Sequence, residues 1–151
     1  GKLAITLYKN ISNCKVDAID ISSEALLVAK RNARELDANI NFIENDMLKN
    51  ISFKYDVIIS NPPYIDVNEY VMDLVRDNEP KLALFSGDGG LYHYKTIILQ
   101  SLKCLKENGI IIFEIPDNKC DVLFEFVSQY YSDIKIIKDY NDQRRVMIIR
   151  K

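Results

Sequence analysis

Apolar and polar positions along the chain alternate between two periods, and the switches between them divide the sequence into strands and helices. Residues 16–20 (VDAID) read as a strand. Residues 23–36 (SEALLVAKRNAREL) read as a helix, with Ala25, Leu26, Ala29, Ala33 and Leu36 on one face and Ser22 placed to cap it. Residues 40–44 (INFIE) and 55–59 (YDVII) read as strands. A polar loop is expected over 60–89, then a helix from about Leu91 to Lys106 that stops at Asn108-Gly109. IIIFEI (110–115) is an apolar strand, and residues 119–131 carry a helical pattern. DIKIIKD (133–139) and RVMIIR (145–150) read as two strands joined by a short turn at Asn141-Asp142.

Strand, helix and strand in succession imply an α/β architecture. The sheet should be mostly parallel and doubly wound, with a helix on each face. The last two strands are joined too closely for a parallel crossover, so they should form an antiparallel pair. The opening GKLAITLYKN has helical spacing at Leu3, Ile5 or Thr6, and Leu7. A doubly wound nucleotide-binding fold normally opens with a strand and a glycine-rich turn ahead of its first helix. Neither precedes this helix, so residues 1–151 read as one partial domain that begins just after them, with a central strand unaccounted for.

Composition removes several function classes. The 151 residues are 48% hydrophobic and 28% charged with a net charge of −2, ordinary for a globular domain and too weakly charged for bulk electrostatic binding of nucleic acid. No apolar run approaches the roughly 18 residues of a membrane span, and the N-terminus lacks a signal-peptide layout. Cys14, Cys104 and Cys120 are far apart, and His93 is the one histidine. That pattern fits a reducing cytoplasm and argues against a disulfide framework, a bound metal or triad hydrolysis. A packing or solvent-facing role is expected for His93. No phosphate-binding Gly-Lys-Ser/Thr loop and no nucleophile–base pair is present.

Ligands of an open parallel sheet bind beyond the carboxyl ends of its strands. Asp20 ends one strand, where a carboxylate can accept from ribose hydroxyls or cap the helix that follows. The END-Met stretch after the next strand offers Asp46 to an exocyclic amine and Met47 to a purine ring, or is a surface turn. The third strand end is SNPPYI (60–65). Two prolines forbid the strand from continuing. The Asn61 side-chain carbonyl and the Pro62 backbone carbonyl are two rigid acceptors suited to both hydrogens of a planar NH₂ group, and Tyr64 can stack on that group. A site that only orients and polarises an amine suits methyl transfer from a sulfonium cofactor, which carries the hard chemistry itself.

VDAIDISSEALLVAKRNA, FIENDML, YDVIISNPPYI, NEPKLALFSGDGGLYHYKTII, GIIIFEI and IKDYNDQRRVMIIR together resemble the HemK/PrmC protein-(glutamine-N5) methyltransferases. The resemblance covers nearly the whole chain. It implies a Rossmann-like class I fold and the cofactor S-adenosylmethionine, with S-adenosylhomocysteine as product and no metal. The implied partner is a peptide-chain release factor, methylated in the cytoplasm on the glutamine of its GGQ motif. It further implies that Gly1, Asp20, Ile21, Asp46, Met47 and Asn61 touch the cofactor, and that Asn61, Pro62, Pro63 and Tyr64 form the glutamine pocket. Asn61, Pro62 and Tyr64 would be the catalytic groups. Gly1 matches the last glycine of the family's glycine-rich loop; the rest of that loop, the strand before it and an N-terminal helical substrate-docking domain are implied upstream. The SGDGGL loop (86–91) departs from the family at Gly89. NPPY alone is shared with amino-methyltransferases of adenine in DNA and guanine in rRNA, which remain an alternative, as does a binding module that has lost catalysis.

Overall fold

A computed structural model describes residues 1–66 and 85–151, which divide into two compact units, Gly1–Asn50 and Ile51–Lys151. The EPKLAL stretch (79–84) lies outside the described residues. In the first unit, helix α1 (Lys2–Asn10) is followed by strand β1 (Asp17–Asp20), helix α2 (Ser23–Glu35) and strand β2 (Asn41–Glu44). β1 and β2 are parallel, with Asp17 opposite Asn41 and Asp20 opposite Glu44. Ser22 caps α2 as expected, its Oγ accepting from Ala25 N at 3.2 Å. The core of this unit is Ile5 of α1, Ala33 of α2 and Ile40, with Tyr8, Val16, Ala18 and Phe42 packed around them. Of the predicted α2 stripe, Leu26, Ala29 and Ala33 are buried, whereas Ala25 and Leu36 at its two ends are exposed.

The second unit carries strand β3 (Tyr55–Ser60), the two-residue strands β4 (Ile65–Asp66) and β5 (Phe85–Ser86), and a turn over Gly87–Gly90. Helix α3 (Tyr92–Cys104), strand β6 (Leu105–Glu114), a 3₁₀ turn (Asp117–Lys119), helix α4 (Cys120–Val127) and strands β7 (Asp133–Lys138) and β8 (Arg144–Arg150) complete it. The sheet order is β3-β6-β8-β7. β3 runs parallel to β6, and β8 runs antiparallel to both β6 and β7, so the expected C-terminal antiparallel pair is present. β4 and β5 are also parallel, giving secondary structure to what the sequence reads as plain loop.

The stop of α3 differs from the expectation. The helix ends at Cys104, and Asn108-Gly109 belong to β6. Leu105 is fully buried and pairs with Tyr55, while Val57 pairs with Ile110, so the extra residues of β6 form a bulge. Asn108 sits in that bulge at φ +63°, a left-handed conformation that Asn tolerates. In sequence the pair looks like a helix stop because the same preference for positive φ serves both roles.

Among the described residues, two clusters tie α3 and the 3₁₀ turn to the strands, beside a core that includes Ile98, Ile111, Leu123, Met147 and Ile149. Tyr94 of α3 is fully buried, packs edge-on against Phe113 at 5.2 Å between centroids, and donates its hydroxyl to the Glu114 carbonyl at 2.7 Å. Arg144 of β8 clamps the 3₁₀ turn. Its backbone N–H and its Nε donate to Asp117 Oδ1 at 2.9 and 2.8 Å, Nη2 donates to the Asp117 carbonyl at 2.9 Å, and Nη1 pairs with Asp121.

Replacing Tyr94 with Phe strands the Glu114 carbonyl and is expected to destabilise the chain by about 1–2 kcal/mol in urea unfolding; an unchanged midpoint would contradict the assignment. The Arg144 guanidinium and backbone N–H hold the Asp117 carboxyl below its ordinary value. A depressed carboxyl stabilises the fold above its unfolded value, near 4, and loses that contribution as pH falls through the lowered one. Asp117→Asn should therefore flatten the fall in stability between about pH 5 and pH 2, read as urea midpoints across that range.

Candidate functional site

In the first unit the carboxyl ends of β1 and β2 bring Asp20 beside the Asn45–Met47 loop. Asn45 N donates to the Asp20 carbonyl at 3.0 Å, continuing the parallel pairing by one step. Asp20 does turn the chain into α2, because its Oδ1 accepts from Ser22 N at 2.9 Å. It is nevertheless exposed, and Oδ2 takes no hydrogen bond from the described residues. One oxygen thus serves the turn and the other faces outward, so the two readings of Asp20 are compatible. Ile21 beside it is 57% exposed, an apolar surface next to a carboxylate.

The Asp46 loop is a turn, with Lys49 N donating to the Asp46 carbonyl at 3.1 Å. Asn45 makes the turn rigid in a way the sequence reading missed: its Nδ2 donates to the Met47 carbonyl at 3.1 Å and the Lys49 carbonyl at 2.8 Å. That clamp holds Met47 at φ +50°, which a non-glycine residue seldom adopts unaided. Leu48 is buried and anchors the loop, while Asp46 and Met47 are half-buried. Gly1 caps α1 through its carbonyl, which accepts from Ile5 N at 3.2 Å. A side chain there would stand 2.9 Å from Ala29 Cβ, so glycine is what allows the start of α1 to approach α2 this closely.

In the second unit β3 ends at Ser60, opposite Phe113 of β6, and the chain passes into Asn61-Pro62-Pro63-Tyr64. Neither proline can donate to a ladder, so pairing stops here for a covalent reason. Asn61 is exposed and its amide has no partner among the described residues. Pro62 is buried, anchoring the stretch, and Pro63 and Tyr64 are half-buried. No described residue donates to the Pro62 carbonyl. The acceptors of Asn61 and Pro62 thus sit one residue apart at the carboxyl end of a strand, ahead of an aromatic ring.

The SGDGGL loop backs this stretch. β5 pairs with β4 immediately after Tyr64. Gly90, at φ +82°, lies so close to the Tyr64 carbonyl that a Cβ there would overlap it. Three contacts fasten the loop: Ser86 Oγ with His93 Nδ1 at 2.9 Å, Asp88 with Lys95 Nζ at 2.7 Å, and the Gly89 carbonyl accepting from Lys119 Nζ at 2.8 Å. His93 therefore has the packing role expected of it, on a buried serine. Beneath lies Tyr94, whose hydroxyl is pushed well above the usual phenol range, first by burial and then by the neighbouring Tyr64 and Glu114. Among the described residues no group of three His, Cys, Asp or Glu side chains is arranged to hold a metal, and no helix is long and apolar enough to cross a membrane.

Comparison with known proteins identifies the family. The model of the family described as "Methyltransferase small domain" matches residues 1–83. The chain is 44% identical to the release factor glutamine methyltransferase of Enterococcus faecalis, over 98% of this chain and 55% of that protein. It is 38% identical to the release factor glutamine methyltransferase of Francisella tularensis, over 92% of this chain and 50% of that protein. It thus spans about half the length of the curated relatives it matches. Among solved structures, a methyltransferase from Pyrococcus furiosus superposes with a TM-score of 0.75 at 21% identity, covering 99% of this chain and 68% of that one. The fold is accordingly the Rossmann-like, mixed α/β fold of class I methyltransferases, with parallel pairs β1–β2, β3–β6 and β4–β5 and antiparallel C-terminal strands. By the match over residues 1–83, together with these relatives, the chain belongs to the methyltransferase small domain family.

Proposed function

We propose that this chain is the catalytic portion of an S-adenosylmethionine-dependent enzyme that methylates the side-chain amide nitrogen of a glutamine in a protein. The acceptor is the GGQ glutamine of a cytoplasmic peptide-chain release factor. The observation that carries the reading is the exposed Asn61 amide at the carboxyl end of β3, followed by the donor-less Pro62 and by Tyr64. Relatives at 44% and 38% identity that bear the name release factor glutamine methyltransferase favour glutamine over a nucleic-acid base as the acceptor.

The residues of the first unit suit the cofactor. Asp20 keeps Oδ2 for ribose hydroxyls, Ile21 and Met47 offer apolar surface to an adenine ring, and Asp46 offers an acceptor to its exocyclic amine. Gly1 would lie at the cofactor's amino-acid end. When bound, S-adenosylmethionine supplies an electrophilic methyl carbon.

The chain's own residues then act on the acceptor. The Asn61 side-chain carbonyl and the Pro62 backbone carbonyl each accept one hydrogen of the glutamine NH₂. A planar amide nitrogen is a poor nucleophile because its lone pair is delocalised into the carbonyl. Holding both hydrogens in fixed directions orients the nitrogen and stabilises the positive charge it develops as the new bond forms. Pro63 and Tyr64 wall the flat amide, and the nitrogen releases a proton as it gains the methyl group.

Asn61→Ala in the full-length protein should lower kcat for methyl transfer to release factor by roughly 100- to 1,000-fold, the usual cost of removing a group that stabilises transition-state charge. Because Asn61 is exposed, the unfolding midpoint should move little. Undiminished kcat would remove Asn61 from the chemistry.

A further inference from the structure

We infer that Lys119 is a positioning residue for the acceptor site, holding the Tyr64 wall in place from behind through the Gly89-Gly90 turn. The inference rests on the proposed role of Asn61 to Tyr64 and deepens it. Lys119 belongs to no strand end and lies 55 residues beyond Tyr64 in the sequence. It is only 8% exposed. A lysine is buried to that extent only where its ammonium finds partners, and here Nζ donates to the Gly89 carbonyl at 2.8 Å.

The next residue is the one that presses on the site. A Cβ at Gly90 would overlap the Tyr64 carbonyl and would stand 2.5 Å from Lys119 Nζ. The Tyr64 carbonyl and the lysine ammonium thus lie on the same side of Gly90, together filling the space a side chain would take. The Lys119 contact to Gly89 therefore fastens the turn at the point where Gly90 passes the Tyr64 carbonyl without room for a side chain. Gly89 and Gly90 both have positive φ, which two glycines adopt as readily as they would adopt alternatives. The turn's own conformational preference therefore does not hold it in place; Lys95 fastens it at Asp88, and Lys119 fastens it at Gly89, next to the glycine that passes Tyr64. The root of that tether is fixed in turn, since Arg144 binds Asp117 at the start of the same 3₁₀ turn through its backbone N–H, Nε and Nη2. A run of contacts thereby leads from β8 through Arg144, Asp117 and Lys119 to Gly89, Gly90 and Tyr64, all within the second unit.

Misplacement of a substrate wall by a fraction of an ångström costs rate far more than stability. The test compares Lys119→Met and Lys119→Arg in the full-length protein, first by amide hydrogen exchange and then by kinetics. In Lys119→Met, exchange over residues 60–66 and 86–91 should quicken about tenfold or more while the rest of the second unit keeps its protection. The value of kcat for the glutamine acceptor should fall roughly tenfold to a hundredfold with S-adenosylmethionine affinity unchanged, and Lys119→Arg should recover most of it. Unchanged exchange in both segments would overturn the inference, whatever the activity. Local loosening would sustain it even if the wild-type protein methylated no glutamine, a result that would sink the functional reading alone. Should Lys119→Met fail to fold, Lys119→Gln supplies the same reading: local loosening at residues 60–66 sustains the inference, and unaltered exchange there overturns it.

Discussion

The site depends on a covalent fact, that proline carries no backbone N–H. β3 is paired to β6 up to Ser60, and two residues later the ladder has nothing to donate. The strand must leave the sheet there, and it leaves with Asn61 turned to solvent and Pro62 buried. A generic turn would satisfy its own polar groups through internal hydrogen bonds. Among the described residues this one leaves the Asn61 amide and the Pro62 carbonyl without a partner, and the fixed φ of each proline limits the freedom a bound ligand would otherwise have to remove. Two described features lie directly behind that exit. β4 re-enters pairing with β5 directly after Tyr64, and a glycine too close for any side chain backs the Tyr64 peptide.

A comparable economy governs the first unit. The parallel register that sets Asp20 opposite Glu44 also brings Asn45 N onto the Asp20 carbonyl, so a carboxylate and a left-handed methionine are positioned by backbone pairing and one amide clamp. In both units the chemistry-bearing groups lie at the carboxyl ends of parallel strands, where the ladder terminates and backbone groups change partners. Among the described residues neither unit offers an acid–base pair of the kind hydrolysis requires. What they offer is orientation, flat walls and acceptors, which is enough when the reactive carbon comes with the cofactor.

The sequence made much of this legible, and for identifiable reasons. Strand ends with strong local chemistry could be read directly: SNPPYI because prolines act through covalent structure, Ser22 because a cap needs only its own neighbours, and the C-terminal hairpin because five residues cannot make a parallel crossover. Signals with two outcomes misled. Asn108-Gly109 prefers positive φ in a helix stop and in a bulge alike, and only the pairing of Leu105 with Tyr55 decides between them. Long-range contacts were invisible. Nothing near Lys119 announces a partner thirty residues earlier at Gly89, and the meaning of Gly90 emerges only when Tyr64 is folded against it. Asn45 gives no signal of its own beside Asp46 because an Asx clamp looks in sequence like any polar turn.

The central claim is that the NH₂ group held by Asn61 and Pro62 belongs to a glutamine side chain. The most direct measurement is the chemical location of the transferred group. Full-length protein, labelled S-adenosylmethionine, release factor, rRNA and DNA would be incubated together, and the product mapped by tandem mass spectrometry. The account predicts label on the side-chain amide nitrogen of the GGQ glutamine. Label on an adenine or guanine amino group, or on any protein atom other than a glutamine amide nitrogen, would contradict it.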